Sequence, residues 1–199
     1  PVRGNLAWVA SNFAAQFGGK HIQFDPIEQG VLHAAIKNVF DEDRLPDFDI
    51  ENANTVLSFG ADFLGTWISP TRYAVKYGQF RYGEDRAERG KLIHIEPRMS
   101  PTSAAADQWV PVNPGREGEL ALAIGNAIIE EGGVPEDRIA AYKSIFASDA
   151  LESVDDSNLG VSHDTIHDIA VALGHGPALV IGGGSAGAHT NGTFNLTAI

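Results

Sequence analysis

Two stretches decide the fold: residues 55–62 read Thr-Val-Leu-Ser-Phe-Gly-Ala-Asp, and residues 90–98 read Gly-Lys-Leu-Ile-His-Ile-Glu-Pro-Arg. Each contains a short, mostly apolar run that is followed by a glycine or a carboxylate. Runs of this length and composition are typical of strands that are buried in a parallel sheet. The two stretches therefore predict strands at Thr55–Phe59 and Lys91–Ile95.

Helix-like patterns alternate with strand-like patterns along the rest of the chain. Further strands are predicted at His21–Phe24, Trp109–Val112 and Pro177–Ile181. Helices are predicted at Trp8–Phe17, Ile27–Phe40, Pro70–Tyr82, Glu117–Glu131, Pro135–Phe146 and, with Ser162 as the N-cap, through Leu173. This alternation predicts an α/β fold, a Rossmann-like parallel sheet with helices on both faces, in a single domain over residues 1–199.

The composition excludes several classes of function. The net charge is −12 with only 14 Lys and Arg residues, which argues against a nucleic-acid partner. No cysteine is present, so this segment holds no disulfide, no cysteine nucleophile and no thiolate-bound iron–sulfur cluster. The longest apolar runs are too short to span a membrane. Because the chain starts at Pro1 and stops at Ile199, where the pattern indicates the start of a helix, we expect a fragment of a larger subunit.

The candidate binding residues follow the predicted strands. In open parallel sheets, ligands bind beyond the carboxyl ends of the strands, near the point where the strand order reverses. A carboxylate such as Glu96 at a strand end can accept hydrogen bonds from both hydroxyl groups of a ribose. On position alone, the alternative is that Glu96 bonds nearby backbone amides. The loops in question are residues 60–62, 96–98, 113–115 and 182–184.

Two further patterns are weak signals. Residues 182–187 spell GxGxxG, but the acidic partner that a dinucleotide fingerprint expects about 20 residues downstream would lie beyond Ile199. A glycine loop that permits close backbone passage is the alternative, and phosphate contact by its amides stays open. His163 and His167 share one helix face, but a metal site needs further ligands and none is identifiable, so we predict no metal site.

The motifs in combination resemble the molybdopterin oxidoreductase family. In residues 90–98, quoted above, a strand ends in an acidic residue followed by Pro-Arg. Ala-Asp-Gln-Trp at 106–109 and Val-Pro-Val-Asn-Pro-Gly at 110–115 come next. The run from His189 to Gly192, together with Asn195, is similar to that family's loop after a glycine-rich strand end. The resemblance covers about Thr55 to Ile199.

The resemblance implies a site for a molybdopterin guanine dinucleotide. Glu96 would bind the guanosine ribose, the Gly60 loop would lie near the pyrophosphate, and Arg98 would stack on the base or pair with phosphate. Glu117, two residues after Gly115, would accept hydrogen bonds from guanine. The predicted cofactor-binding set is Gly60, Ala61, Asp62, Glu96, Arg98, Pro114, Gly115, Glu117, Gly183, His189 and Asn191. No catalytic residue and no metal ligand is predicted within the segment.

Two departures from the family pattern bear on cofactor binding. Asp62 stands where the family usually has Asn, and a carboxylate about 4 Å from a phosphate charge costs on the order of 4 kcal/mol at an effective dielectric of about 20. No residue matches the serine, cysteine or selenocysteine that ligates molybdenum. We therefore expect this segment to hold no cofactor, with molybdopterin guanine dinucleotide as the alternative.

Residues 58–70, Ser-Phe-Gly-Ala-Asp-Phe-Leu-Gly-Thr-Trp-Ile-Ser-Pro, follow an acidic stretch that contains Leu45-Pro46. They resemble the large iron–sulfur subunit of alternative complex III, a quinol-oxidising respiratory assembly. This resemblance implies a scaffold domain whose partners are other domains and subunits of an electron-transfer complex, and membrane association through those partners, on the periplasmic face. Two alternatives stay open. One is the dinucleotide-binding domain of a catalytic molybdenum or tungsten oxidoreductase; the other, from fold alone, is an independent NAD-type or small-nucleotide enzyme.

Overall fold

The computed structural model describes residues 4–22, 29–83, 89–146, 156–174 and 176–199. Its centre is a four-stranded sheet in the order β3-β2-β1-β4, in which every pairing is parallel. The prediction of an α/β fold built on a parallel sheet is confirmed. The strands are β1 (Thr55–Phe59), β2 (Lys91–Ile95), β3 (Gln108–Val110) and β4 (Ala178–Gly182).

Helices precede, connect and follow the strands. They are α1 (Asn5–Gln16), α2 (Gly30–Phe40), α3 (Pro70–Phe80), α4 (Pro101–Ala105), α5 (Glu117–Glu130), α6 (Glu136–Phe146), α7 (Asp156–Leu159), α8 (His163–Gly174) and α9 (Gly192–Ala198). One 3₁₀ turn, Ile50–Asn52, comes before β1, and another, Gly184–Gly187, follows β4.

The strand order changes direction at β1, which determines where a ligand can enter. The chain passes from β1 through α3 to β2 and through α4 to β3, then returns through α5 to α8 and places β4 on the other side of β1. Because crossovers between parallel strands are right-handed, the two sets of helices lie on opposite faces of the sheet. On the second face, α5 packs against α8 and α9. The carboxyl ends of β1 and β4 therefore flank the switch point.

The loop after β1 is held in place by an aromatic cluster. Phe63, Trp67 and Tyr73 are buried, and the rings of Trp67 and Tyr73 stack with centroids 5.7 Å apart. Burying each such side chain contributes about 1.5–3 kcal/mol. The cluster packs residues 60–69 against α3, so the polar side chains of this loop have defined positions.

Most predicted elements agree with the structure, and three predictions need correction. The strand predicted at His21–Phe24 is wrong for His21 and Ile22, which lie in irregular backbone. Residues 23 and 24 of that prediction lie outside the described residues, and so do residues 27 and 28 of the helix predicted from Ile27. A run of four residues without a pairing partner does not form a strand. The strand predicted to reach Val112 ends at Val110. A helix does not begin at Ile199, because α9 ends at Ala198.

Candidate functional site

A cavity of about 370 Å³ lies at the carboxyl ends of β1, β2 and β4, where the strand order reverses. Five of the predicted cofactor-binding residues line it: Gly60, Asp62, Glu96, Arg98 and Gly183. Trp67 and Ser185 also line this cavity, and Ser185 contacts Glu96. The structure thus brings together residues from three separate strand ends, as expected for an open parallel sheet.

A second cavity of about 520 Å³ contains most of the other predicted residues, namely Pro114, Gly115, His189 and Asn191. Ala188 lines both cavities, so the two adjoin. Asn191 donates a hydrogen bond from Nδ2 to the carbonyl oxygen of Gly115 over 2.7 Å, which joins the loop after β3 to the loop before α9. Neither Ala61 nor Glu117 lines these cavities, because both are fully buried.

Glu96 is a buried carboxylate with different partners for its two oxygens. The Oε2 atom lies 3.3 Å from Nε2 of His94 and accepts a hydrogen bond from Ser103 over 3.2 Å. Ser185 donates to Oε1 over a longer 3.4 Å. Burial would raise the pKa of Glu96, but the hydrogen bond from His94 and the hydroxyl groups of Ser100 and Ser103 outweigh burial and lower it. Glu96 is therefore ionised at neutral pH, and its partners are side chains rather than backbone amides.

Arg98 is the cation of this first cavity. Its side chain is 72% exposed, and Nε lies 3.8 Å from Oε1 of Glu96. An exposed guanidinium at this distance adds little to folding stability, since surface ion pairs are worth about 0–1 kcal/mol. It remains available for a base or a phosphate.

Asp62 is buried, and its carboxylate points toward α4. Its Oδ1 atom accepts hydrogen bonds from the hydroxyl and the backbone amide of Thr102, over 2.8 and 3.2 Å. Its Oδ2 atom accepts one from Thr66 over 3.3 Å. A Cβ atom on Gly65 would lie 2.1 Å from Oδ2, so the loop closes tightly around the carboxylate. Asp62 therefore serves as an internal acceptor that connects the loop after β1 to α4.

The glycines at the strand ends are required by close backbone contact. Gly60 and Gly184 have φ angles of 64° and 51°, and a Cβ on Gly184 would lie 2.2 Å from the carbonyl oxygen of Gly60. A Cβ on Gly183 would collide with the indole of Trp67. The amides of Gly60, Gly183 and Ser185 already donate to Ile95, Phe59 and Gly60, so these three amides are not free for phosphate.

Glu117 begins α5 and is fully buried. Asn195 donates to its Oε2 atom over 3.1 Å, whereas Oε1 has no hydrogen-bond partner among the residues that the structure describes. Burial raises the pKa of Glu117, and the nearby imidazole of His189 and the backbone amides of Glu117 and Gly115 offset this only in part. A buried acceptor without a donor costs about 1–3 kcal/mol, and more when it is charged.

Several residues at the site were missed by sequence reasoning, among them His94, Ser103 and Ser185. His94 was detectable, because residues two apart on a strand face the same side, which places it beside Glu96. Ser103 and Ser185 were not, since Ser103 reaches Glu96 from α4 and Ser185 from the 3₁₀ turn after β4, and the positions of both segments depend on tertiary packing.

No cluster of three or more possible metal ligands is found among the described residues. His167 instead pairs with Glu131, with Nε2 and Oε1 2.9 Å apart. Across the same parts of the chain, no helix is both long enough and apolar enough to cross a lipid bilayer.

The sequence profile of the molybdopterin oxidoreductase family matches residues 5–199. The chain belongs to the molybdopterin oxidoreductase family. The family named from the motifs is therefore confirmed, and it is a family of proteins that bind a molybdopterin cofactor.

Two relatives from the molybdopterin oxidoreductase family illustrate the similarity. The chain is 26% identical over 184 residues to the menaquinone reductase, molybdopterin-binding-like subunit, of Nitratidesulfovibrio vulgaris, a match that covers 90% of the chain and 26% of that protein. It is 34% identical over 85 residues to the arsenate respiratory reductase molybdopterin-containing subunit of a Shewanella species, over 43% of the chain and 9% of that protein.

A solved structure, acetylene hydratase from Pelobacter acetylenicus, superposes with a TM-score of 0.64 at 19% identity, over 85% of this chain and 23% of the hydratase chain. At this identity the likeness shows the fold alone. The chain spans 26% or less of the length of each of these three proteins.

Proposed function

We propose that this chain forms the half-site of a molybdopterin oxidoreductase that binds the guanosine diphosphate part of a molybdopterin guanine dinucleotide. This proposal rests mainly on Glu96, an ionised carboxylate whose Oε1 atom faces the cavity at the switch point of the sheet. A carboxylate in this place suits the two hydroxyl groups of a ribose, as at other nucleotide sites on open α/β sheets.

The chemistry of the other side chains fits the same ligand. Arg98 offers a guanidinium beside Glu96 for a base or a phosphate. Glu117 has a buried oxygen that lacks a donor among the described residues, and guanine carries adjacent N–H donors that match a carboxylate. Because Glu117 is fully buried and lines neither cavity, contact with a base requires the residues that cover it to move. The dinucleotide, when bound, would supply the redox chemistry; these residues only bind and orient it.

Asp62 does not argue against this ligand as strongly as the sequence suggests. The expected repulsion assumed a carboxylate that faces a phosphate group. Both of its oxygens instead accept hydrogen bonds, Oδ1 from Thr102 in α4 and Oδ2 from Thr66 in the same loop. Donors to a carboxylate stabilise its charge and weaken its field elsewhere.

A second function, a cofactor-free scaffold in a respiratory electron-transfer complex, is favoured by two observations. The first observation is that a relative matched over 90% of the chain is described as molybdopterin-binding-like. The other is Asp62, where the family usually has Asn, within the run 58–70 that resembles the large subunit of alternative complex III. In this proposal the fold persists as a docking platform for other domains and subunits, and the complex associates with the membrane through those partners.

One experiment separates the two proposals. The full-length polypeptide is purified and denatured with acid, its released guanine nucleotide is measured by chromatography, and molybdenum and tungsten are measured by mass spectrometry. Stoichiometric nucleotide and metal, lost together in Glu96→Gln but retained in Glu130→Gln, support the dinucleotide site. Glu130 is an exposed carboxylate at the end of α5 and serves as the matched control. Absence of both nucleotide and metal from the wild-type polypeptide supports the scaffold.

A further inference from the structure

His94 is a buried polar residue that the proposed site has not yet accounted for. It lies in β2, between Ile93 and Ile95, and its side chain is 0% exposed. Burying an imidazole costs free energy unless hydrogen bonds compensate. Its Nε2 atom lies 3.3 Å from Glu96, and its Nδ1 atom has no hydrogen-bond partner among the described residues. Among the described residues, the carboxylate of Glu96 is therefore the hydrogen-bond partner of the His94 side chain.

The contacts of Glu96 divide into two sides. On the Oε2 side are His94 and Ser103, which lie beneath the cavity in β2 and α4. On the Oε1 side are Ser185 at 3.4 Å and Arg98 at 3.8 Å, and both of these residues line the cavity. One oxygen is thus anchored from below, and the other remains available to a ligand.

We infer that His94 is a positioning residue for ligand recognition. Its Nε2–H group holds Oε2 of Glu96 and thereby presents Oε1, as an ionised acceptor, to the vicinal hydroxyl groups of the ligand's ribose. An imidazole donates through a ring N–H group, and we assign a proton to Nε2 because this atom faces the carboxylate. The inference rests on the proposed nucleotide site and adds the residue that sets its preference for ribose.

The charged and polar groups around Glu96 come from five segments. They are His94 in β2, Arg98 after β2, Ser100 and Ser103 at α4, Trp109 in β3 and Ser185 after β4. The indole of Trp109 donates a hydrogen bond to the backbone carbonyl oxygen of Glu96. Asp62 is the other carboxylate that lines the cavity. Burial raises the pKa of Glu96, and without the imidazole of His94 this effect is opposed only by the nearby hydroxyl groups and the exposed Arg98. The pKa of Glu96 would then rise, and its ribose contact would weaken as the pH falls.

The test uses the full-length polypeptide prepared without its cofactor. Calorimetry gives the affinities for guanosine 5′-diphosphate and for its 2′-deoxy analogue between about pH 5 and pH 8. Their ratio reports the contact with the ribose and cancels effects at the base. In the wild type and in His167→Leu, an exposed-histidine control, we expect a ratio of about tenfold or more throughout this range. In His94→Leu the ratio is expected to fall below about threefold, and to fall further toward acidic pH.

His94→Gln restores an N–H donor and is expected to recover most of the preference. If His94→Leu does not fold, His94→Met is the second apolar variant, and the same loss is required of it. A ratio in either apolar variant that equals the wild-type ratio at every pH overturns the positioning role and leaves the nucleotide site intact. A wild-type polypeptide that binds neither nucleotide, or that binds both equally with no change in Glu96→Gln, overturns the ribose site itself.

Discussion

Asn195 donates a hydrogen bond from Nδ2 to Oε2 of Glu117 over 3.1 Å, and both side chains are fully buried. The two residues are 78 positions apart, at the first turns of α9 and α5. This contact fixes one oxygen of the carboxylate and leaves the other without a donor among the described residues. The arrangement leads to the first three predictions.

Glu117→Gln is expected to weaken binding of guanosine diphosphate by about tenfold or more. Because Asn195 donates to one position, the amide oxygen of the glutamine will occupy it and the NH₂ group will replace Oε1. A donor would then face the donor edge of guanine. Titration calorimetry on the full-length polypeptide measures the loss, with Glu130→Gln as the control. Equal affinity in wild type and Glu117→Gln would show that Glu117 does not contact the base.

Nucleotide binding is expected to release a proton at pH values below the raised pKa of Glu117. The pKa of Glu117 is raised in the folded protein, so stability from this group is present below its unfolded pKa and is lost as the pH rises through the folded pKa. Donors from guanine favour the ionised form and reverse this shift, which makes binding tighter as the pH rises. Calorimetry in buffers of different ionisation enthalpy counts the proton. Proton release of the same size in Glu117→Gln would assign it to another group.

Asn195→Ala is expected to lower the free energy of unfolding by about 1–3 kcal/mol. The substitution removes the donor to Glu117 and the acceptor of the backbone amide of Gly118, both in the interior. Urea denaturation measures the change. Thr193→Ala, at an exposed position of the same helix, is the control and should change stability by less than about 0.5 kcal/mol. A similar small effect for both variants would contradict the structural role of Asn195.

Asp62→Asn is expected to change the affinity for guanosine diphosphate by less than about threefold. Its carboxylate oxygens already accept hydrogen bonds from Thr102 and Thr66, which stabilise the charge, so removing the charge relieves little repulsion. A gain of about tenfold or more would instead mean that this charge keeps the site empty, and would favour the scaffold proposal. The measurement is the same calorimetric titration.

Gly60→Ala is expected to destabilise the fold by about 2–5 kcal/mol. Gly60 has a φ of 64°, and a Cβ there would lie 2.5 Å from the backbone nitrogen of Ala186. A left-handed conformation costs a residue with Cβ about 1–2 kcal/mol, and overpacking adds about 1–3 kcal/mol. Gly78→Ala is the matched control, because Gly78 is exposed within α3 with no atom near the new methyl group. The control should stabilise by about 0.5–1 kcal/mol. Thermal unfolding compares the two.

The sequence by itself determined the fold class, the family and the main strands. The runs at Thr55–Phe59 and Lys91–Ile95 have the observed bounds, because a buried parallel strand imposes an apolar pattern that few other environments require. It also predicted that Glu96 and the glycine loops lie at strand ends, where ligands bind in such sheets. The sequence failed where a pattern was short, as at His21 and Ile22, because a strand exists only with a neighbour to pair with.

Only the tertiary structure decided how the candidate residues combine. It placed nine of the eleven in two adjoining cavities, directed the Asp62 carboxylate to Thr102, and placed His94 against Glu96. It also joined Asn195 to Glu117. Hydrogen bonds between side chains that are distant in sequence depend on how helices and loops pack over the sheet, and no local pattern records that packing. The sequence therefore shows which residue types stand at the strand ends, whereas the hydrogen-bond partner of each carboxylate depends on the tertiary structure.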